Sequence, residues 1–133
     1  MNIAVADTHV LIWYLSDSPK LSSKALEKFE TALNAGGHIC ISSITLVEIV
    51  YLVEKDRISV DASNQLSKVL DNPDTYLKII DLNRNIAESV KLISRDAVPD
   101  MPDRIIAATA SFLNLPLITR DHKIRAANLK TIW

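Results

Sequence analysis

The chain has 133 residues, 48% of them hydrophobic and 23% charged, with a formal net charge of -1. That is the length and composition of one ordinary globular domain, residues 1–133, able to bury roughly two thirds of its unfolded surface. So small a net charge excludes a whole-molecule field for nucleic acid, and any such binding must be local. The longest apolar run, Val10 to Leu15, is too short to span a membrane, and no basic segment precedes an apolar stretch as in a signal peptide. The single Cys40 cannot form an intrachain disulfide and suits a reducing cytoplasm.

The first stretch, Asn2 to Ala6, is apolar without alternation and reads as a strand buried on both faces. It stops at Asp7-Thr8, and a helical pattern follows through Leu15. After the turn Asp17-Ser18-Pro19, Ser22-Ser23 cap a second helix with Leu26, Phe29 and Leu33 on its inner face, closed by Gly36-Gly37. His38 to Ile41 is a second strand, and Ser42-Ser43 lead into a third helix, about Ile44 to Asp56. Apolar residues run almost all the way round that helix, which predicts that it is largely buried. A fourth helix begins near Asp61 and ends at Asn72-Pro73. Leu77 to Asp81 is a third strand, followed by a helix from about Arg84 to Ser94 with Ile86, Val90 and Ile93 inward. A polar loop then leads to a helix over Pro102 to Asn114, a fourth strand over Pro116 to Thr119, and a tail from Leu129 that can add a fifth. Strands alternating with helices predict an α/β fold, a three-layer α/β/α sandwich on a mostly parallel sheet of four to five strands.

Several acids stand out against this pattern. Asp7 ends the first strand, where open parallel sheets bind ligands, and it serves there as a helix cap, a ligand, or both. Glu48 has Ile44, Thr45, Tyr51 and Leu52 as its helical neighbours, none a charge partner, so it faces either a narrow polar stripe or a cleft. Asp100 and Asp103 bracket a helix start, where capping and the helix dipole favour them in any case. Asp121 follows the fourth strand as a turn residue or as a second edge carboxylate. Brought together, such groups repel: two unit charges about 4 Å apart cost about 4 kcal/mol at an effective dielectric of 20. Several cannot all stay ionised without a cation or raised pKa values. Hard oxygen donors without paired Cys or His select Mg²⁺ or Mn²⁺ over zinc, and phosphodiester hydrolysis is the natural chemistry.

Four motifs in order carry a family resemblance: Asp7-Thr8 after the first strand; Ser42-Ser43-x-Thr45-x-x-Glu48; Pro102-Asp103-Arg104-Ile105-Ile106-Ala107-Ala108-Thr109-Ala110; and Leu117-Ile118-Thr119-Arg120-Asp121. Together they resemble the PIN-domain ribonucleases, and among these the VapC toxins of bacterial toxin–antitoxin pairs. The resemblance implies a catalytic and metal-binding quartet of Asp7, Glu48, Asp103 and Asp121, supported by Thr8, Thr119 and Asp100. It implies Mg²⁺- or Mn²⁺-dependent endonucleolytic cleavage of RNA, a homodimer, and inhibition by a cognate antitoxin.

The expected RNA contacts are the basic residues near these acids, Arg104, Arg120, Lys123 and Arg125. The expected antitoxin contacts are Trp13 and Tyr14 on the first helix and Tyr51 on the third, lining a groove between the two helices. Two alternatives keep part of the pattern. A non-catalytic module of the same fold retains the acids without cleavage. A phosphoacceptor receiver matches Asp7, Asp81 and Lys123 but wants two adjacent acids after the first strand, where Thr8 and His9 stand, and leaves Glu48 unexplained.

Overall fold

The computed structural model describes residues 1–126 and 129–133. Five strands, β1 (Asn2–Ala6), β2 (His38–Ser42), β3 (Leu77–Ile80), β4 (Leu117–Ile118) and β5 (Thr131–Ile132), form one parallel sheet in the order β3-β2-β1-β4-β5. Parallel neighbours cannot be joined by hairpins, so helices make every connection. These are α1 (Thr8–Leu15), α2 (Ser23–Ala35), α3 (Ser43–Glu54), α4 (Val60–Asp71), α5 (Arg84–Ser89), α6 (Met101–Leu113) and α7 (His122–Ala126).

β1 is the middle strand, and Ala4, Val5 and Ala6 are fully buried, as a run without alternation requires. Its residues serve the two faces in turn. Ala4 and Ala6 pack with Val10, Leu11, Phe29 and Ile41 on one side; Val5 packs with Ile106, Ala107, Ala110 and Leu117 on the other. The three-layer α/β/α sandwich expected from the sequence is therefore the fold.

The strand order reverses between β1 and β4, and such a reversal opens a crevice beyond the carboxyl ends of the strands. Val5 pairs with Leu117 and Ala6 with Ile118, and the Asp7 N–H donates to the Ile118 carbonyl at 3.1 Å. The residues just past these strand ends, Asp7 and Thr119, are thereby set side by side. Asp81 follows β3 at the outer edge of the sheet, two strands from β1. A receiver places its middle strand between others in a different order, so that alternative fails on topology.

The helix faces differ from expectation in three places. In α2 the buried residues are Ala25, Phe29 and Ala32, whereas Leu26 and Leu33 are exposed. Phe29 is inward as expected, stacked on Tyr14 with ring centroids 4.1 Å apart, and Ala25 and Ala32 share its face in place of Leu26 and Leu33. In α3 only Thr45 and Ile49 are fully buried, and Val47, Val50 and Tyr51 are about half exposed. The helix packs along α1, α4 and α6 and leaves one apolar side uncovered. The helix expected to reach Ser94 ends at Ser89 and passes into a 3-10 turn over Val90–Leu92, with Leu92 exposed. Among the described residues no helix is long and apolar enough to cross a membrane.

The α2 correction is testable. Phe29→Ala is expected to lower unfolding free energy by about 3–5 kcal/mol in urea titrations. Leu33→Ala should change it by roughly 0.5 kcal/mol or less. Equal losses at the two positions would put Leu33 on the inner face after all.

Candidate active site

A surface depression of about 670 Å³ opens at the β1–β4 reversal, and Asp7, Glu48, Asp100, Asp103 and Asp121 all line it. The acids arrive from several different elements. Asp7 is the N-cap of α1, its Oδ1 accepting from the Val10 N–H at 2.9 Å, and it is only 8% exposed. Asp100 is the N-cap of α6 and accepts from the Asp103 N–H at 3.3 Å. Asp103 sits in the first turn of that helix. Asp121 follows β4, and its Oδ1 accepts from the Lys123 N–H at 2.8 Å as α7 begins. Capping and site duty thus coincide at three positions, since helix N-termini favour negative charge.

Glu48 is the acid that no cap explains. Its Oε1 accepts from the Thr8 hydroxyl at 2.5 Å, and the Thr8 oxygen lies 3.1 Å from the Thr45 hydroxyl oxygen. A hydroxyl carries one proton. With the Thr8 proton given to Glu48, Thr45 must supply the proton between the two threonines. Thr45 is fully buried and three residues before Glu48 on α3, so it shares that helix face. Sequence reasoning gave Thr45 no role, although its i,i+3 spacing from an unpaired acid was an available signal. Thr119 does parallel duty just past β4: its oxygen accepts from the Asp121 N–H at 3.0 Å, and its hydroxyl favours the charged form of Asp7.

The electrostatics follow from this packing. Burial pushes the Asp103 carboxyl up to about 7, and Asp100, Glu48, Asp121 and Asp7 all push the same way. Asp103 therefore senses every other acid of the depression. Burial also raises Asp7, with Thr119, the Val10 N–H and His9 opposing. Glu48 is raised by burial against the Thr8 hydrogen bond. Among the described residues the one ion pair is Arg84 with Glu88, so no lysine or arginine there neutralises these carboxylates.

That donor set, all oxygen and with no lysine or arginine in ion-pair contact among the described residues, fits a hard divalent cation. Among the described residues no three acidic, His or Cys side chains stand close enough to enclose an ion by themselves. Asp7, Glu48, Asp103 and Asp121 are the residues that would hold it.

The basic and aromatic residues divide. Arg120 and Lys123 line the depression, together with His9, His122 and Trp13. Arg120 lies over the Trp13 ring, its Cζ 5.6 Å from the centroid. Arg104 does not serve as expected. Its Nη2 donates to the carbonyls of Val90 at 3.0 Å and Ile93 at 2.8 Å, tying the 3-10 turn to α6. Two carbonyl acceptors on a half-buried guanidinium fix it as a brace rather than an RNA contact. Arg125 lines a different depression. Tyr14 is also corrected: stacked on Phe29 and edge-on to Tyr76, it is partly buried and spends its ring on packing against the core. Tyr51, 57% exposed, lines an apolar groove with Ile44, Val47, Leu52, Met101 and Pro102. That groove lies between α3 and the start of α6, not between α1 and α3, and meets the acidic depression at Glu48.

Several known proteins resemble this chain along its whole length. It is 23% identical to Ribonuclease VapC22 of Mycobacterium tuberculosis (strain ATCC 25618 / H37Rv) over 128 residues, 95% of this chain and 92% of that protein. One chain of VapBC2 from Rickettsia felis, bound to a DNA fragment from their promoter, superposes with a TM-score of 0.73 at 22% identity, covering 99% of this chain and 98% of that one. One chain of a toxin–antitoxin complex from Klebsiella pneumoniae superposes with a TM-score of 0.62 at 29% identity, covering 98% and 96%. The sequence model of the PIN domain matches residues 4–129, nearly the whole chain, and with the acids set at the β1–β4 reversal the protein belongs to the PIN domain family.

Proposed function

We propose that the protein is a cytoplasmic endoribonuclease dependent on Mg²⁺ or Mn²⁺, the toxin of a toxin–antitoxin pair, held inactive by a cognate antitoxin. The observation that carries this reading is the depression itself, where acids from five positions meet without a neutralising cation among the described residues. Membership of the PIN family and relatives named as a ribonuclease and as toxin–antitoxin complexes support it.

In this mechanism Asp7, Glu48, Asp103 and Asp121 would hold the cation. A divalent ion bound there supplies Lewis acidity toward a phosphoryl oxygen and lowers the pKa of a coordinated water. Thr8 and Thr45 fix the Glu48 carboxylate, and Thr119 fixes Asp7 and the Asp121 backbone, so the donors are oriented before substrate arrives. Arg120 and Lys123 present positive charge on the rim of the same depression and receive the phosphate backbone. The antitoxin lays an apolar segment in the Tyr51 groove and reaches past Glu48 into the acids, where a cationic side chain such as Arg competes with metal. The chain acts as a homodimer, with the exposed Leu92 and Phe112 as apolar surface for a second copy.

Asp7→Asn removes the charge and keeps a capping side chain at α1, so the fold should persist. Cleavage of single-stranded RNA should fall by about a hundredfold or more, and the wild type should lose activity in EDTA. Asp81→Asn, outside the depression, should cleave normally. Substantial cleavage by the Asp7 variant, or by wild type in chelator, would remove the metal role.

Asp103 makes a pH-dependent prediction. Its folded pKa of about 7 lies above the ordinary 3.8, so the folded state holds the proton more tightly. Metal-free stability should then decline as pH rises from about 4 to about 7 and level off above that. Asp103→Asn abolishes this contribution. In chelator its Tm advantage over wild type should be larger at pH 8 than at pH 5, and saturating Mg²⁺ should shrink it. A pH-independent difference would mean that Asp103 is not among crowded carboxylates.

For the partner, Tyr51→Ala removes an exposed ring and should leave folding intact. Calorimetry with the cognate antitoxin should show binding weakened by more than about 1 kcal/mol. Undiminished affinity would move the antitoxin off this groove.

A further inference from the structure

A second depression, about 660 Å³, lies between α2 and the β4–β5 side of the sheet. Its charged lining is Lys24 and Lys28 of α2, Arg125 of α7 and Lys130 ahead of β5, against one acid, Glu27. Lys24 and Lys28 are one turn apart and so present their charges along one side of the helix. In a chain of net charge -1 this is a concentrated cationic surface, and the proposed activity so far makes no use of it.

The trough is not isolated from the acids. Trp133 lines it, and the Trp133 ring lies 5.9 Å from that of Trp13, which lines the acidic depression and carries Arg120 on its face. A single tryptophan pair separates the two depressions. A cluster of five carboxylates repels a polyanion, and Arg120 and Lys123 alone face it from the rim. An RNA strand crossing these acids gains from further phosphate contacts beyond that rim. Trp13 and Trp133 are partly buried, and each leaves part of its ring on the lining of a depression. A cationic groove beside accessible aromatic rings is the combination that holds single-stranded nucleic acid, charge tracking the backbone and rings stacking on bases.

We infer that the trough lined by Lys24, Lys28, Arg125 and Lys130 binds the backbone of single-stranded RNA flanking the scissile bond, and that the Trp13–Trp133 pair carries the strand from there into the acidic depression. The inference rests on the endoribonuclease reading and adds to it where the substrate is gripped. An acidic segment of a protein partner would meet the same charges, but the aromatic path to the acids favours RNA.

The test uses the full chain carrying Asp7→Asn, in chelator, with a fluorescent single-stranded RNA of roughly 20 nucleotides followed by anisotropy. Adding Lys24→Glu and Lys28→Glu should weaken binding about tenfold and lower the salt slope by about 1.4, roughly 0.7 for each phosphate that one of these lysines neutralises. Lys130→Glu alone should give a smaller effect in the same direction. Lys68→Glu with Lys91→Glu changes net charge equally but lines neither depression, and should bind as the parent does. Thermal unfolding of each variant separates weakened binding from failed folding. If the Lys24/Lys28 variant binds RNA like the parent, or if the Lys68/Lys91 control is weakened as much, the trough has no such role. If it binds RNA normally but loses affinity for the antitoxin, the trough is a protein interface and the inference is overturned. If the parent binds no RNA and the wild type cleaves none with Mg²⁺ or Mn²⁺, the endoribonuclease reading falls, and the trough assignment with it.

Discussion

Like charges held at close quarters out of water are the constraint around which this protein is built. Asp7 is nearly inaccessible, Glu48 is half-buried, and burial, reinforced by the neighbouring acids, pushes the Asp103 carboxyl up to about 7. A fold that only needed stability would neutralise such a cluster with arginine or lysine. Here the compensation comes from dipoles instead: the N-termini of α1 and α6, the opening turn of α7, and the hydroxyls of Thr8, Thr45 and Thr119. Neutral donors orient carboxylates and soften the cost of burial without removing their charge. The negative potential remains available to a cation from solution.

The surroundings of the cluster are arranged to keep it rigid. Arg104, next in sequence to Asp103, spends its guanidinium on the Val90 and Ile93 carbonyls. That bond ties the 3-10 turn to α6 and with it the chain leading to Asp100. A residue adjacent to a functional acid is here a brace, and its charge-assisted hydrogen bonds stiffen the helix start that presents two of the acids. On the other side, Asp7 is held by the β1–β4 pairing through the backbone bond to Ile118. The site is thus mounted on helix starts and on residues just past the ends of deeply buried strands.

Segregation of charge is the second consequence. A net charge of -1 conceals an acidic depression and a basic trough on opposite sides of a tryptophan pair. Whole-molecule electrostatics are nearly neutral, whereas fields within a Debye length of each depression have opposite sign. Phosphate binding and cation binding can then occupy neighbouring surfaces without cancelling.

Legible along the chain were the alternation of strands and helices, the parallel sheet, the caps, and the acids at the strand ends. All of these rest on neighbours within a few residues: unbroken apolar runs, a Ser or Asp before a helix, an unpaired Glu among apolar residues. Glu48 was legible because its own helix turn offered it no partner. Where long or amphipathic side chains spend their surface came from the packed fold alone. Arg104 and Arg120 look equivalent along the chain, yet one meets the Val90 and Ile93 carbonyls and the other lies on Trp13. Tyr14 and Tyr51 both sit in apolar helical runs, yet one stacks on Phe29 and the other faces out, because α3 has no layer over its outer side. The Thr45–Thr8–Glu48 chain joins residues 37 and 40 positions apart, and no periodicity encodes a contact of that range. Local pattern sets which elements form and which groups cap them; the packing of those elements sets which groups meet.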